Sequence, residues 1–231
     1  MDIKILHMIA GAKEAKGLAV IIDVFRAFSL ECYFMNNNAA TVIPVGSIEE
    51  AYRLKEENPT YLLAGEQNGK ILEGFDYGNS PTQIENTDFT GKTIIHTTTR
   101  GTKGIDNAIN ADQIITGSLV NAKAIVEYIK KNNFNTISLV CMGELELVEA
   151  AEDNLCAEYI KAMLENRQID IETEMEKLKY LNAKRFFDKN RQDIYPERDF
   201  YLCIQANKFD FVLKVEKNKD GLDYINKIST I

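Results

Sequence analysis

Carboxylates, hydroxyl groups, glycines and arginines collect immediately after several short apolar runs of this 231-residue sequence. The segments at the ends of these runs are residues 23–26, 65–66, 97–102 and 117–118, and residues 74–81 and 152–153 lie further along the connections. Oxygen-rich segments of this kind favour a polar anion site that also holds a hard cation, because Mg²⁺ prefers carboxylate, phosphate and water oxygens. The residue types therefore predict a site for a small anion bound together with a divalent cation.

Two of these segments could grip the anion directly. Residues 97–102 read Thr-Thr-Thr-Arg-Gly-Thr ahead of a predicted short helix. Unpaired backbone amides and the helix dipole at such a position favour negative charge. Arg26 could bind two oxygens of a phosphate or sulfonate at the same time.

Each candidate residue also has an ordinary structural role open to it. Asp23 could form a turn or cap a helix, and Arg26 could belong to a surface ion pair. Residues 79–81, Asn-Ser-Pro, are typical of a helix start, with Ser as the cap and Pro at the first helical position. Glu152 and Asp153 could simply complement the dipole of the helix that they begin. The joint occurrence of these residues after successive strands carries more weight than any one of them.

Short β-branched runs alternate with helical patterns along the first 166 residues. Ser47 and Ser118 precede two of the helical patterns as predicted caps, and residues 119–129 repeat apolar residues at helical spacing. The pattern predicts an α/β protein with a layered α/β/α fold and a mostly parallel or mixed sheet. The predicted strands are residues 3–9, 18–24, 40–45, 61–65, 92–96, 113–116 and 136–141, and the bounded helices are residues 26–35, 102–109 and 150–166.

The C-terminal part of the chain differs from this pattern. The predicted elements there are helices at residues 172–181 and 197–206 and a hairpin of residues 209–215 and 222–228. An Asp-Gly turn between the last two runs favours the hairpin. These elements allow a smaller α+β lobe at residues 170–231, within a single domain of residues 1–231, since no Pro- or Ser-rich boundary separates it.

Composition and charge argue against several classes of protein. Apolar residues make up 45% of the chain and charged residues 27%, which is typical of a globular protein and not of a disordered or fibrous one. The net charge is −8 and no basic run offsets it, which argues against nucleic acid and anionic membranes as partners. The sequence lacks an apolar run of the roughly 20 residues that a membrane span needs, and its N-terminus does not resemble a signal peptide. We therefore expect a cytoplasmic protein.

The nucleophile and metal motifs of several phosphate-handling proteins are absent from the sequence. The four cysteines are scattered and only two histidines are present, which argues against a zinc site, and in the cytoplasm the cysteines should be free thiols. No Cys lies six residues before an Arg, and no Asp-x-Asp follows the second predicted strand. Neither Gly-rich nucleotide-binding motif nor a Gly-x-Ser-x-Gly elbow is present.

Taken together, the segments resemble the 2-phosphosulfolactate phosphatase family, also known as ComB. They appear in the order typical of the family and cover most of the chain. The most specific of them are Gly-Asn-Ser-Pro at residues 78–81 and the Thr-rich loop at residues 97–102. The other matching segments are residues 23–29, 43–45, 64–66, 74–77, 117–121, 141–143, 152–157, 199–203 and 209–212.

The resemblance implies an α/β fold and a Mg²⁺-dependent acid phosphatase. The reaction of the family converts 2-phospho-3-sulfolactate and water to 3-sulfolactate and phosphate, in coenzyme M biosynthesis. Arg100 stands where the family most often has Asn, and Asn207 and Leu213 are further departures. These changes bear on the exact substrate more than on the fold.

This interpretation assigns roles to individual residues. The predicted catalytic residues are Asp23, Arg26, Glu66 and Asp153. The predicted substrate-binding residues are Asn79, Ser80, Thr98, Thr99, Arg100, Gly101, Thr102 and Ser118. Mg²⁺ would be held by Asp23, Glu66 and Asp153, and would bridge phosphate oxygens. The nucleophile could be a metal-activated water, an enzyme carboxylate or a thiol.

Two alternatives stay open at this point. The chain could be a non-catalytic binder of a small phospho- or sulfo-anion, in which Arg100 and the other departures reflect lost chemistry. It could also be a phosphatase that acts on another phospho-acid. The expected partner is in each case a small anion, and the sequence leaves room for a homo-oligomer.

Overall fold

The structure of the protein, a computed structural model, describes residues 1–67, 69–143, 149–219 and 221–230. Ten strands within these ranges form one sheet. The strands are β1 (Asp2–His7), β2 (Leu18–Ile22), β3 (Thr41–Val45), β4 (Leu62–Gln67), β5 (Lys70–Ile71), β6 (Thr93–Thr97), β7 (Gln113–Gly117), β8 (Thr136–Cys141), β9 (Phe211–Lys217) and β10 (Asp223–Ser229). Their order across the sheet is β1-β8-β2-β7-β9-β10-β3-β6-β4-β5.

Two groups of parallel strands flank an antiparallel hairpin in this sheet. β1, β8, β2 and β7 are parallel neighbours, and so are β3, β6 and β4. Between the groups, β9 pairs antiparallel with β7, and β10 pairs antiparallel with both β9 and β3. The predicted mostly parallel or mixed sheet is therefore confirmed.

Helices cover both faces of the sheet. They are α1 (Met8–Glu14), α2 (Ala27–Asn36), α3 (Ile48–Glu57), α4 (Pro81–Ile84), α5 (Gly101–Asn107), α6 (Ala122–Asn132), α7 (Ala151–Leu164), α8 (Ile171–Leu178) and α9 (Glu197–Cys203), with 3₁₀ turns at Leu119–Asn121 and Asn182–Phe187. None of the helices in the described ranges has the length and apolar character needed to cross a membrane.

Alternation along β2 shows how the layers pack. Successive side chains of a strand point to opposite faces, so Ala19 and Ile21 pack with α1, α2 and α5, while Val20 and Ile22 pack with α6 and α7. Every residue of β2 is buried, as expected for a strand covered on both faces. A further cluster places α3 over β3, β4 and β6. The layered α/β/α fold is thus confirmed.

Capping residues explain where several helices begin. The Ser47 hydroxyl accepts the amide of Glu50 at 3.1 Å, which confirms the predicted cap of α3. Ser118 and Asn121 form a reciprocal capping box at the 3₁₀ turn that leads into α6. Pro81 is the first residue of α4, as predicted, but the Ser80 side chain forms no capping hydrogen bond and donates to Asp199 instead.

One predicted element is wrong at its C-terminal end. Residues 3–9 are predicted as one strand, but β1 ends at His7 and α1 begins at Met8. Met8 and Ile9 continue the apolar run, and their types therefore do not reveal the change of direction. The chain reverses at Met8, which has a φ of 61°, and the following residues pack α1 against β1 and α5.

The C-terminal hairpin lies at the centre of the sheet. β9 and β10 have the predicted antiparallel pairing, while Asp220 of the predicted Asp-Gly turn is outside the described residues. The segment for which the sequence allowed a smaller lobe therefore joins the two parallel groups of strands. Its helices pack onto the same body, α8 against α7 and α9 against α2 and α4.

Candidate active site

A cavity of about 300 Å³ opens where the segments after β2, β4, β6 and β8 meet the start of α7. Its wall carries most of the side chains that the sequence singled out. The predicted site residues on the wall are Asp23, Arg26, Glu66, Asn79, Thr98, Thr99, Arg100 and Asp153. Loops that are distant in the chain thus bring acidic, basic and hydroxyl groups together.

Three carboxylates form an acidic part of this wall. Asp23 follows β2, and Glu152 and Asp153 lie in the first turn of α7. Burial raises the pKa of Asp23 to about 6, and repulsion from Glu66 adds to this shift. Burial likewise raises the pKa of Glu152 to about 7, with a contribution from Asp23. The pKa of Asp153 is also raised, first by burial and then by repulsion from its two acidic neighbours. This group therefore retains protons closer to neutral pH than ordinary carboxylates do.

Backbone amides hold two of the predicted catalytic carboxylates in place. Asp153 accepts the amide of Val24 at 2.9 Å and the amide of Gly143 at 3.0 Å. Glu66 accepts the Thr99 amide at 3.1 Å and the Thr99 hydroxyl at 2.7 Å. Asp153 thereby holds the segments after β2 and β8, and Glu66 holds the segment after β6. Both carboxylates also line the cavity.

Arg26 precedes α2 and reaches the wall as a buried side chain. Its Nη1 donates to the Asp199 carboxylate at 2.6 Å and to the carbonyl of Ile194 at 2.9 Å. The guanidinium carbon lies 4.9 Å from the centre of the Tyr195 ring, a distance typical of a cation–π contact. The alternative of a surface ion pair is therefore wrong, because Arg26 and its partner are both buried.

Two polar atoms on the wall are buried and have no hydrogen-bond partner among the described residues. They are the Nε of Arg100 and the Oδ1 of Asn79. Buried polar groups are nearly always satisfied, and each one left without a partner costs about 1–3 kcal/mol. A bound molecule that offers both an acceptor and a donor would satisfy them.

Four of the predicted substrate-binding residues do not line this cavity. Ser118 is fully buried and lies 2.6 Å from the Ser29 hydroxyl, while the Thr102 hydroxyl donates to the Thr98 carbonyl. Ser80 donates to Asp199 at 2.8 Å. At Gly101, an added Cβ would lie 3.1 Å from the Oδ2 of Asp23, so the missing side chain permits close approach to that carboxylate. The structure therefore does not bring these four residues to this cavity, although Ser80 lines a neighbouring one with Arg26 and Asn79.

The C-terminal segment supplies wall residues that the sequence analysis missed. Arg185 comes from the 3₁₀ turn after α8, and Tyr195 lies just before α9. Burial lowers the pKa of the Arg185 guanidinium, whose carbon lies 5.2 Å from the centre of the Tyr195 ring. No local motif marks either residue, since both lie in segments of helical or irregular pattern.

The donor set on the wall can be compared with the needs of Mg²⁺. Among the described residues, no group of three or more His, Cys, Asp or Glu side chains is placed to hold a metal ion. Mg²⁺ commonly takes only one or two protein carboxylates, with phosphate and water as the other ligands. The acidic group at Asp23, Glu152 and Asp153 fits this smaller requirement, because a cation would stabilise the charged carboxylates that burial and mutual repulsion disfavour. The ligand set of Asp23, Glu66 and Asp153 stays a prediction.

The fold and the cavity define a class of protein, the α/β proteins with a polar cavity formed by the segments after their strands. Within that class the comparison with known families is specific. Residues 5–218 match the family described as 2-phosphosulpholactate phosphatase, and the chain belongs to this family. The resemblance found in the sequence is therefore confirmed.

Several curated relatives carry the name probable 2-phosphosulfolactate phosphatase. One from Caldanaerobacter subterraneus subsp. tengcongensis is 35% identical over 213 residues, which cover 85% of this chain and 87% of the relative. One from Bacillus subtilis is 32% identical over 203 residues, which cover 86% and 87%. A third, from Caldicellulosiruptor saccharolyticus, is 42% identical over a shorter match of 64% of this chain and 63% of the relative.

Proposed function

We propose that the protein is a phosphoric monoester hydrolase that converts 2-phosphosulfolactate and water to 3-sulfolactate and inorganic phosphate. Membership of the family and the names of the curated relatives support this assignment. The proposal includes a requirement for Mg²⁺, a place in coenzyme M biosynthesis and a cytoplasmic location.

The proposal rests on two buried polar atoms on the cavity wall that have no hydrogen-bond partner among the described residues. The Nε of Arg100 needs an acceptor, and the Oδ1 of Asn79 needs a donor. A phosphoryl or sulfonate oxygen supplies the acceptor, and a protonated oxygen or a bound water supplies the donor. The ligand thus completes hydrogen bonds that the described part of the protein leaves open.

The charges on the wall also agree with a polyanionic substrate. Arg26, Arg100 and Arg185 all line the cavity. The substrate carries phosphate, carboxylate and sulfonate groups, so three arginines match three anionic groups in number. Arginine suits this task because its planar group can donate to two oxygens of one anion.

The proposed reaction is a direct transfer of the phosphoryl group to water. A water oxygen forms a bond to phosphorus and releases one proton to the solvent. The ester bond to the lactate oxygen breaks, that oxygen takes one proton from its donor, and the solvent returns a proton to the donor. Glu152 is the proposed proton donor, because its carboxyl group has a pKa raised to about 7 and lines the cavity. Arg26 and Arg100 hold the phosphoryl oxygens, and Asp23 with Asp153 would hold the metal. When bound, Mg²⁺ would neutralise charge on those oxygens.

A thiol nucleophile is not part of this proposal. All four cysteines are buried, and none is among the described residues on the cavity wall. Burial raises the pKa of the Cys141 and Cys156 thiols well above the ordinary value. The thiolate form that attacks phosphorus is therefore strongly disfavoured.

The test is the release of phosphate from 2-phosphosulfolactate, measured with and without added Mg²⁺. Phospholactate, which lacks the sulfonate, and a generic aryl phosphate serve as comparison substrates. We expect Mg²⁺-dependent release with the sulfonate as the preferred substrate.

Other outcomes separate the alternatives. Release from the comparison substrates alone would keep a phosphatase and remove the proposed substrate and pathway. Folded protein that is stabilised by these anions but releases no phosphate from any of them would instead indicate a binding protein.

A further inference from the structure

Asp199 is a fully buried carboxylate that lies behind the cavity wall. It sits in the first turn of α9 and is not one of the wall residues. The proposed reaction gives it no role. Its contacts nevertheless connect it to a residue that faces the proposed substrate.

Four hydrogen bonds satisfy this carboxylate. Its Oδ1 accepts the Ser80 hydroxyl at 2.8 Å, the Thr82 amide at 2.9 Å and the Thr82 hydroxyl at 2.6 Å. Its Oδ2 accepts Nη1 of Arg26 at 2.6 Å. Because Asp199 is fully buried and is not on the cavity wall, a ligand in the cavity does not contact it. Any effect that it has on the anion must pass through its partners.

Some N–H groups of Arg26 donate to the protein, and the others remain for a ligand in the cavity. Both protons of Nη1 are used, one by Asp199 and one by the carbonyl of Ile194. The Nη2 and Nε protons have no hydrogen-bond partner among the described residues, and the side chain lines the cavity. The Tyr195 ring, 4.9 Å away, restricts the guanidinium plane from one face. One edge of Arg26 is therefore held and the other is available.

We infer that Asp199 is a positioning residue, which fixes the guanidinium of Arg26 so that its remaining donors meet the oxygens of a bound phosphoryl anion. Ser80 and Thr82 hold Asp199 in turn, which connects the start of α4 to the same arrangement. The inference rests on the proposed function in one respect, that the cavity binds such an anion. It does not require that the anion is hydrolysed.

The direction in which an Asp199 variant changes the affinity for an anion separates positioning from simple electrostatics. Asp199 carries a negative charge close to an anion site, so its neutralisation would by charge alone strengthen anion binding. Loss of positioning has the opposite effect, because Arg26 then has to be ordered at the moment of binding. A role confined to stability would lower Tm and leave the affinity for an anion unchanged.

The experiment is a double-mutant cycle on the binding of inorganic phosphate, measured by calorimetry. We expect Asp199→Asn to weaken binding about tenfold or more, as for the loss of one hydrogen bond to a charged group. Arg26→Ala should weaken it at least as much. Adding Asp199→Asn to Arg26→Ala should change the affinity by less than about twofold, because the two residues act as one unit.

Glu197→Gln is the matched control, since it neutralises an exposed carboxylate in the same first turn of α9 and leaves the bond between Asp199 and Arg26 in place. We expect it to bind phosphate as the unchanged protein does. If Asp199→Asn fails to fold, Asp199→Glu keeps the charge and displaces it by one methylene, and weaker phosphate binding by the folded variant is again expected.

Three results would overturn the inference. They are phosphate affinity that is unchanged or tighter in a folded Asp199 variant, additive effects in the cycle, and no phosphate binding by the unchanged protein. The proposed function fails in a different way, when the unchanged protein binds phosphate but releases none from the ester substrates.

Discussion

Asp153 accepts the backbone amide of Val24 at 2.9 Å, and this hydrogen bond joins the first turn of α7 to the segment that follows β2. The second oxygen of the same carboxylate accepts the amide of Gly143, after β8. One buried side chain thereby holds together the two loops that follow neighbouring parallel strands. Asp153 therefore has a structural task that is separate from any contact with metal or substrate.

Asp153→Asn should lower both turnover and stability. The new side-chain NH2 group has to face one of the two amides, so a buried donor meets a donor at a cost of about 1–3 kcal/mol. Loss of a carboxylate that would hold the metal should reduce kcat by about 10²-fold or more. Urea unfolding and phosphate release measure the two effects. Full turnover in this variant would remove Asp153 from the proposed mechanism.

Asp23→Asn should lower turnover by a similar factor without the same loss of stability. The Oδ1 of Asp23 accepts a single amide, that of Ala27 at 3.2 Å, and an Asn side chain can keep this bond. The substitution also removes a charge that burial disfavours. We expect this variant to exceed Asp153→Asn in unfolding free energy by about 1–3 kcal/mol. A lower unfolding free energy than that of Asp153→Asn would contradict this account of the two carboxylates.

The raised pKa of Glu152 makes stability depend on pH. The ordinary value is 4.5 and the folded value is about 7, so the folded state binds more protons than the unfolded state between these limits. Stability contributed by this group is present at low pH and is lost as pH rises through about 7. In metal-free buffer, Glu152→Gln should match the unchanged protein near pH 4 and be the more stable of the two at pH 8.

The control for this pH dependence is Glu158→Gln, an exposed residue on the same helix. Its stability relative to the unchanged protein should not depend on pH in this way. If both variants gave the same profile, burial of Glu152 would not be the cause. Denaturant midpoints at pH 4, 6 and 8 provide the comparison.

Arg100→Lys should weaken anion binding although the charge is kept. The buried Nε of Arg100 has no partner among the described residues, and a lysine ammonium cannot reproduce the planar group. A hydrogen bond to a charged group contributes about 1.5–3 kcal/mol, so we expect the Kd for inorganic phosphate to rise about tenfold or more.

Lys103→Ala serves as the control for Arg100→Lys. It removes a positive charge from the exposed face of the same helix, α5. We expect little change in the phosphate Kd of this variant. If phosphate binding were weakened equally in both variants, only the general positive charge near the site would matter. The Nε of Arg100 would then have no specific role.

Much of the fold could be predicted because its elements are short, strongly patterned and separated by turns. β8 spans the predicted residues, and β2, β3, β6 and β7 differ from their predictions by a few residues at the ends. The cap at Ser47 was also predictable, since it depends on residues three positions apart. The change from β1 to α1 at Met8 could not be predicted, because the residue types of Met8 and Ile9 suit a strand as well as a helix.

Some residues of the candidate site could likewise be predicted from the sequence, and others could not. Asp23, Glu66 and Arg100 could be found because each lies at or just beyond the C-terminal end of a strand, where an α/β sheet forms ligand sites. Ser118 has the same placement and yet is buried against Ser29, since the direction of a side chain after a strand depends on what packs against it. Arg185 and Tyr195 could not be found, because nothing near them in the chain marks a site.

The sequence by itself determined the alternation of strands and helices, the acidic balance of the chain and the residue types that follow each strand. These are local properties, set by neighbours within a few positions. Only the tertiary structure decided that the C-terminal hairpin enters the middle of the sheet and that Arg26 is held by Asp199, 173 positions away. Contacts over such separations depend on how whole layers pack, and no local spacing of residues encodes them.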